Sequence, residues 1–544
     1  MSTTVRLRPW QKAALEKFTV DLKADFLAVA TPGAGKTTFA LTAVRHLLAQ
    51  RPHARIVVVA PTQHLKLQWA AAAVGFGLQL DPAWSPSAGL ADDFHGVVTT
   101  YQQVASAADR VAPLAHDGIV VLDEIHHAGD DRAWGDGLRT AFASADRRLS
   151  LSGTPFRSDA NPIPFVTYEW EEAVPDYEYG YGDALGDGGV VRPAHFPKIK
   201  GHMEWIAPDG QFHSHDFDDE LDRARANQRL RTALSVEGRW LPTVLADAHR
   251  KLSEVRAEQP DAGGLVIAMD VEHAKAIARI LRVEHGVKAA VATSDDPEAS
   301  DKIAAFGDST EPWIVAVRMV SEGVDIPRLR VGVFATNTTT ELFFRQALGR
   351  LVRWTKGSRR QRAWMYLPDD VRLRGHAEVV EQQRRHSLAK RARRWEDAER
   401  NELLDQLGDE EQISLFAAVS SVVTGSEDHR VFDADSGVED GELVGAGGFD
   451  EPGLEIDLPP LPAAAVRPAA AFGGGSGISV LERKADLRQA NADKVAHLVE
   501  VTGMGHAEIN SRLNRVSGVR RVDAATIDQL TKRLAEAESW LRNL

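Results

Sequence analysis

Ala30-Thr31-Pro32-Gly33-Ala34-Gly35-Lys36-Thr37 is a glycine-rich turn that ends in a lysine and a hydroxyl. Between a predicted strand and a predicted helix, such a turn cradles phosphate. Gly33 and Gly35 let the backbone wrap so that successive N–H groups point inward, and the helix starting near Lys36 adds its dipole. Lys36 would neutralise the β- and γ-phosphates of ATP, and the Thr37 hydroxyl would ligate Mg²⁺. Thr31, Ala34 and Thr38 complete the expected nucleotide-binding set. Ala30 stands where the usual pattern has its first glycine.

A second cluster follows an apolar run. Ile119-Val120-Val121-Leu122 reads as a buried strand ending in Asp123-Glu124, which puts both carboxylates at the carboxyl edge of a sheet, where ligands bind in such folds. Asp123 suits Mg²⁺, and Glu124 suits proton acceptance from an attacking water. The adjacent His126 and His127 lack further ligands at metal spacing, so no metal is expected on them.

These residues need elements that hold them at one edge. Short apolar strands alternate with amphipathic helices in two stretches: Phe26–Ala30, Arg55–Ala60, Gly96–Thr99, Gly118–Leu122 and Arg148–Ser152, then Gly264–Met269, Lys288–Ala292, Trp313–Val317, Arg330–Ala335 and Arg362–Leu367. That alternation predicts two doubly wound α/β domains with parallel sheets. A length of 544 residues accommodates two cores and appendages.

The absence of cysteine excludes disulfides, Cys-ligated zinc, iron–sulfur clusters and thiol catalysis. No apolar run reaches membrane-spanning length and no secretory signal opens the chain, so a cytoplasmic location without membrane partners is expected. The net charge of −14 is unevenly spread. Arg350 to Arg394 is rich in Arg and Lys, whereas residues 425–457 are rich in Asp and Glu with Arg430 as the only Lys or Arg. The overall sign therefore does not exclude nucleic acid.

Asp123-Glu124-Ile125-His126 resembles motif II of the DExH-box helicases of superfamily 2, and an ordered set of further motifs covers roughly residues 5 to 370. Leu7-Arg8-Pro9-Trp10-Gln11 is similar to the adenine-reading segment, with Gln11 on the base. Val59-Ala60-Pro61-Thr62 and Val98-Thr99-Thr100-Tyr101-Gln102 resemble strand-gripping loops. Pro61, Thr62, Thr99 and Thr100 would there hold a nucleic-acid backbone without reading its sequence. Leu151-Ser152-Gly153-Thr154-Pro155 looks like motif III. Ser152 and Thr154, with His126 and Gln346, would couple nucleotide state to strand grip.

Gly264 to Ala268 resembles motif IV. Val320 to Pro327 resembles motif V, where Gly323 and Asp325 would lie near nucleotide. Phe344 to Arg353 resembles motif VI. On one helix, Gln346, Arg350 and Arg353 would share a face, and the resemblance makes Arg350 and Arg353 catalytic arginine fingers.

The implied architecture is two tandem RecA-like P-loop domains and a small C-terminal helical module. Its parts are 1–164 (domain 1), 165–225 (connecting insertion), 226–370 (domain 2), 371–424 (basic helical extension), 425–477 (acidic and Pro/Gly-rich linker) and 478–544 (helical module). The resemblance is nearest to restriction-enzyme motor subunits and to repair or phage recombination helicases. It implies an ATP hydrolase that moves along nucleic acid, with DNA favoured over RNA and a protein partner open for the C-terminal module. A nucleic-acid-gated switch that never unwinds, and an RNA helicase, remain alternatives.

Overall fold

A computed structural model describes residues 4–87, 89–129, 132–153, 162–170, 172–208, 210–293, 296, 298–317, 326–355, 361–387, 454–461 and 480–544. Every strand expected from the sequence is present, each end within one residue. The first unit holds β1 (Thr4–Leu7), α1 (Pro9–Val20), β2 (Asp25–Ala30), α2 (Lys36–Gln50), β3 (Ile56–Ala60), α3 (Gln63–Val74), β4 (Leu80–Asp81) and β5 (Gly96–Thr100). It continues through α4 (Tyr101–Ser106), α5 (Ala108–Ala115), β6 (Ile119–Leu122), α6 (Arg132–Phe142) and β7 (Arg147–Ser152). The central strands β2, β3 and β6 are buried almost throughout, as befits a parallel sheet covered on both faces.

Residues 165–225, expected as a connection, supply strands to both sheets. After the short pair β8 (Tyr168–Glu169) and β9 (Glu172–Ala173), β10 (Tyr177–Tyr179) joins the first sheet, giving the all-parallel order β10-β2-β7-β6-β3-β5-β4. After α7 (Tyr181–Asp187), β11 (Ala194–His195) and β12 (Lys198–Ile199) pair with a strand of the second sheet, and β13 (His202–Ile206) and β14 (Phe212–Asp216) form an antiparallel hairpin.

The second unit runs through α8 (Arg223–Ala233), α9 (Trp240–Glu258), β15 (Gly263–Ala268), α10 (Val271–His285), β16 (Ala289–Ala292), α11 (Ala299–Asp308) and β17 (Trp313–Val317). It closes with β18 (Leu329–Ala335), α12 (Glu341–Leu351), β19 (Ala363–Pro368) and α13 (residues 371–387). Its sheet has the parallel order β11-β19-β18-β15-β17-β16. The rest of the basic extension, 388–424, lies outside the described residues.

The 425–477 segment, expected as a spacer too poor in core residues to fold, is anchored where it is described. β20 (Leu454–Asp457) pairs antiparallel with β1, Leu458 is buried, and Arg45 donates to the Pro459 carbonyl at 2.6 Å. Leu454, Ile456 and Leu458 alternate with Glu455 and Asp457, a two-residue period that fits one face of a strand.

The C-terminal module comprises α14 (Val480–Thr502), α15 (His506–Ser517) and α16 (Ile527–Arg542). It packs on the loop between β4 and β5, where Leu487, Val519, Ala525, Ile527 and Leu530 share a core with Ala91 and Phe94. Asp93 is the keystone. One of its carboxylate oxygens accepts from Lys484 Nζ at 2.8 Å, the other from the Ile527 backbone N–H at 3.0 Å, and both charged side chains are buried. Removing one partner of a buried pair strands the other charge and costs about 3–5 kcal/mol. Asp93→Ala should therefore loosen the module, read as faster amide exchange around Leu487 and Leu530. Unchanged protection there would refute the keystone role.

Candidate nucleotide and coupling site

The glycine-rich turn has the backbone its sequence requires. Gly33 and Gly35 have φ of +82° and +91°, and Gly35 caps α2 in the left-handed region. A Cβ on Gly35 would also lie 2.6 Å from Gln11 Nε2, so a side chain there would displace that amide as well as strain the backbone. Ala30 is the last residue of β2 and has no positive φ, so this position does not need glycine. Three residues of the Leu7–Gln11 segment brace the turn. Arg8 donates to Gly33 O at 2.8 Å, Trp10 to Ala34 O at 3.0 Å and Gln11 to Gly35 O at 2.8 Å. The other end of the Gln11 amide accepts from the Arg8 backbone at 2.7 Å. Both ends of the expected adenine reader are thus engaged with the chain itself in this conformation.

The two acids diverge because Glu124 adopts φ +47°, a left-handed conformation that costs a non-glycine residue about 1–3 kcal/mol. Asp123 turns into the protein. Its Oδ2 accepts from Trp69 Nε1 at 2.8 Å and its carbonyl from Tyr101 OH at 2.7 Å. Glu124 turns to the phosphate turn, with Oε1 at 3.0 Å from Lys36 Nζ and Oε2 accepting from Gly153 N at 3.0 Å.

The pair titrates unequally. Burial, reinforced by the neighbouring Glu124 charge, pushes Asp123 up. Burial would raise Glu124 as well, but Lys36, His126 and the Gly153 N–H outweigh it and hold Glu124 below the ordinary carboxylate range.

Among the described residues no group of three or more His, Asp or Glu could cage a metal. The donor set nevertheless fits Mg²⁺, which binds through one or two protein oxygens, substrate phosphates and water. Thr37 and Asp123 are the oxygens that would hold it.

His126 joins the two units. Its Nδ1 lies 3.3 Å from Ser152 Oγ and 3.6 Å from Glu124 Oε2, while Gln346 of α12 donates to its Nε2 at 3.0 Å. Its Nδ1 edge thus faces Ser152 and Glu124, and its Nε2 edge faces α12. α12 reaches this close because Gly349 has no side chain; a Cβ there would meet Pro32 Cγ at 2.5 Å.

The shared helical face expected for Gln346, Arg350 and Arg353 is corrected in one member. α12 ends at Leu351, and Arg353 lies beyond it, bridged antiparallel to Val191. The chain leaves the helix because the Arg353 carbonyl is captured by the buried Arg192 guanidinium. Arg353 still arrives at the turn, its Cγ 3.5 Å from where a Gly33 Cβ would stand. Arg350 remains on α12.

The expected strand-gripping residues divide. Pro61 and Thr62 are partly exposed at the start of α3, with Thr62 capping that helix. Thr99 and Thr100 are buried. The Thr99 hydroxyl donates to Gln103 Oε1 at 3.2 Å, and the Thr100 hydroxyl accepts from Gln103 N at 3.2 Å. Their hydroxyls serve the local fold in this conformation. Thr154, Gly323 and Asp325 lie outside the described residues. Sequence reasoning missed Trp69 and Tyr101 as holders of Asp123 and Arg8 as a brace of Gly33, since nothing in their spacing announces partners so distant in the chain.

Residues 4–157 match the family described as Type III restriction enzyme, res subunit. ML1624 of Mycobacterium leprae is 38% identical over 564 residues, spanning 97% of this chain and 93% of that protein. The chain belongs to one family with this mycobacterial protein, and its residues 4–157 carry a domain of the restriction-enzyme res-subunit type.

Rv2917 of Mycobacterium tuberculosis is 46% identical over 394 residues, covering 71% of this chain, which in turn spans 65% of that relative's length. Neither mycobacterial name carries an activity. Among solved structures, a fragment described as the HsdR subunit of a type I restriction enzyme from Vibrio vulnificus YJ016 aligns with a TM-score of 0.47 at 17% identity, covering 68% of this chain and 65% of that one. Among its described residues, the chain has no helix long and apolar enough to cross a membrane.

Proposed function

We propose that this chain is an ATP-driven translocase or helicase acting on nucleic acid, with DNA favoured over RNA. The observation that carries the proposal is the contact series Gln346–His126–Glu124–Lys36, which runs from α12 of the second unit to the phosphate turn of the first. Lys36 and Glu124 neutralise one another here. Bound phosphates would draw Lys36 away and leave the ionised Glu124 to orient water as general base. Thr37 and Asp123 would hold Mg²⁺, which would supply charge neutralisation at the phosphates. Arg350 and Arg353 approach from the second unit to stabilise charge developing on the γ-phosphate. His126, Ser152 and Gln346 then link hydrolysis to movement of one unit against the other. That movement shifts phosphate-gripping loops such as Pro61–Thr62 along the polymer.

The restriction-enzyme name of the matching family favours DNA. Steady-state ATP hydrolysis, measured with single-stranded, duplex and forked DNA and with RNA, tests the proposal. Stimulation by a DNA ligand is expected, and preferential stimulation by RNA would replace DNA as the track. Turnover indifferent to every polymer would overturn the motor reading in favour of a partner-gated switch.

A further inference from the structure

Asp123 is held from three sides by one stretch of the first unit. Its backbone N–H donates to Val59 O at 2.9 Å, its carbonyl accepts from Tyr101 OH at 2.7 Å, and its Oδ2 accepts from Trp69 Nε1 at 2.8 Å. Trp69, Tyr101 and Asp123 are all buried. Hydrogen bonds shielded from water are costly to break, because the group left behind finds no replacement partner. Packing alone does not account for the two aromatic residues, since indole and phenol both turn their one polar atom to Asp123.

The same stretch joins that anchor to an exposed loop. β3 ends at Ala60, Pro61 and Thr62 follow partly exposed, and the Thr62 hydroxyl caps α3 by accepting from Leu65 N. Trp69 follows Thr62 by about two turns, on the same side of α3. α4 begins with Tyr101 and is fixed to α3 through Gln103, whose Oε1 accepts from the buried Lys66 Nζ at 2.9 Å. The same oxygen accepts from the Thr99 hydroxyl and from Thr100 N, each at 3.2 Å. A buried ammonium does not readily give up its acceptor, so α3 and α4 respond as one body.

We infer that Trp69 and Tyr101 are positioning residues that tie the Pro61–Thr62 loop to Asp123, so that polymer held on this loop and placement of the Asp123 oxygens are linked. A phosphate strand seated there bears on the first turn of α3. That helix carries the indole N–H, and through Lys66 and Gln103 the Tyr101 hydroxyl, against Asp123. Because Asp123 would hold Mg²⁺ beside the nucleotide, polymer and Mg²⁺–nucleotide change one another's affinity by a single reciprocal factor. This deepens the motor reading and rests on it, adding a route inside the first unit that is separate from the Gln346–His126 contact between units.

Equilibrium titrations of the full chain measure that factor without turnover. A fluorescent non-hydrolysable ATP analogue is bound with and without saturating DNA oligonucleotide, and a labelled oligonucleotide with and without the Mg²⁺–analogue, using single-stranded, duplex and forked forms. In the parent, each ligand should shift the other's affinity at least about fivefold, the lower end of ordinary coupling factors. Chelating Mg²⁺ should abolish the shift. Trp69→Phe and Tyr101→Phe keep the rings and remove the N–H and the O–H. Each should reduce the factor, and the double variant should bring it to within about twofold of one. Binding of oligonucleotide alone and of Mg²⁺-free analogue should stay near the parental values. A parental factor in the double variant would overturn the inference, reduce both contacts to packing and leave the motor reading standing. Equal weakening of oligonucleotide binding alone would overturn it too, as damage to the fold. A parent whose factor is one, although DNA stimulates its turnover, would overturn the inference only. A parent that binds neither DNA nor RNA under any nucleotide condition would overturn both.

Discussion

Glu124→Gln should lower ATP turnover by about 10²–10⁴-fold, the range that a general base contributes, while nucleotide binding persists. The substitution keeps an oxygen for the Gly153 N–H but removes the charge that faces Lys36 across 3.0 Å. Lys36 would lose its counter-charge and meet the phosphates more readily, so nucleotide affinity should hold or rise as hydrolysis falls. That opposition separates a lost base from a damaged fold. Single-turnover hydrolysis beside equilibrium binding of a fluorescent ATP analogue measures both. Turnover within a few-fold of the parent would remove Glu124 from the chemistry.

The second large effect is expected at Arg353. Its side chain is brought against Gly33 although it lies outside α12, held there by the pairing with Val191 and by Arg192 on its carbonyl. Because those anchors act on the backbone, Arg353→Ala should leave the segment in place and remove only the charge. An arginine finger contributes about 10³–10⁵-fold to turnover, so a loss near the lower figure is expected, concentrated in kcat. Arg353→Lys should rescue little, because an ammonium does not reproduce the planar fork of donors. Pre-steady-state hydrolysis with saturating nucleotide decides the matter; a rise in KM with kcat intact would make Arg353 a binding residue instead.

Arg353 also marks how far the sequence could be followed. Its spacing from Gln346 and Arg350 suits one helical face, yet the helix ends two residues earlier. The residue reaches the phosphate turn by strand pairing with a segment roughly 160 positions away. Trp69 and Asp123 tell the same story: a buried indole N–H and a carboxylate meet only because β3 and β6 are neighbours in the sheet.

The sequence by itself determined the two α/β units, the phosphate turn and the pair of acids at a strand end. Each rests on local physics: strand and helix periodicity, glycines where φ must be positive, and short-range placement of charge after an apolar run. Only the tertiary structure decided what those groups touch. It sent β10, β11 and β12 from the connection into the sheet edges, and it used the acidic linker's Leu454–Asp457 to cover β1. It also closed Gln346 onto His126 and seated the C-terminal helices on Asp93. These contacts join residues far apart in the chain, and their energies depend on burial and exact approach, quantities that no window of sequence contains.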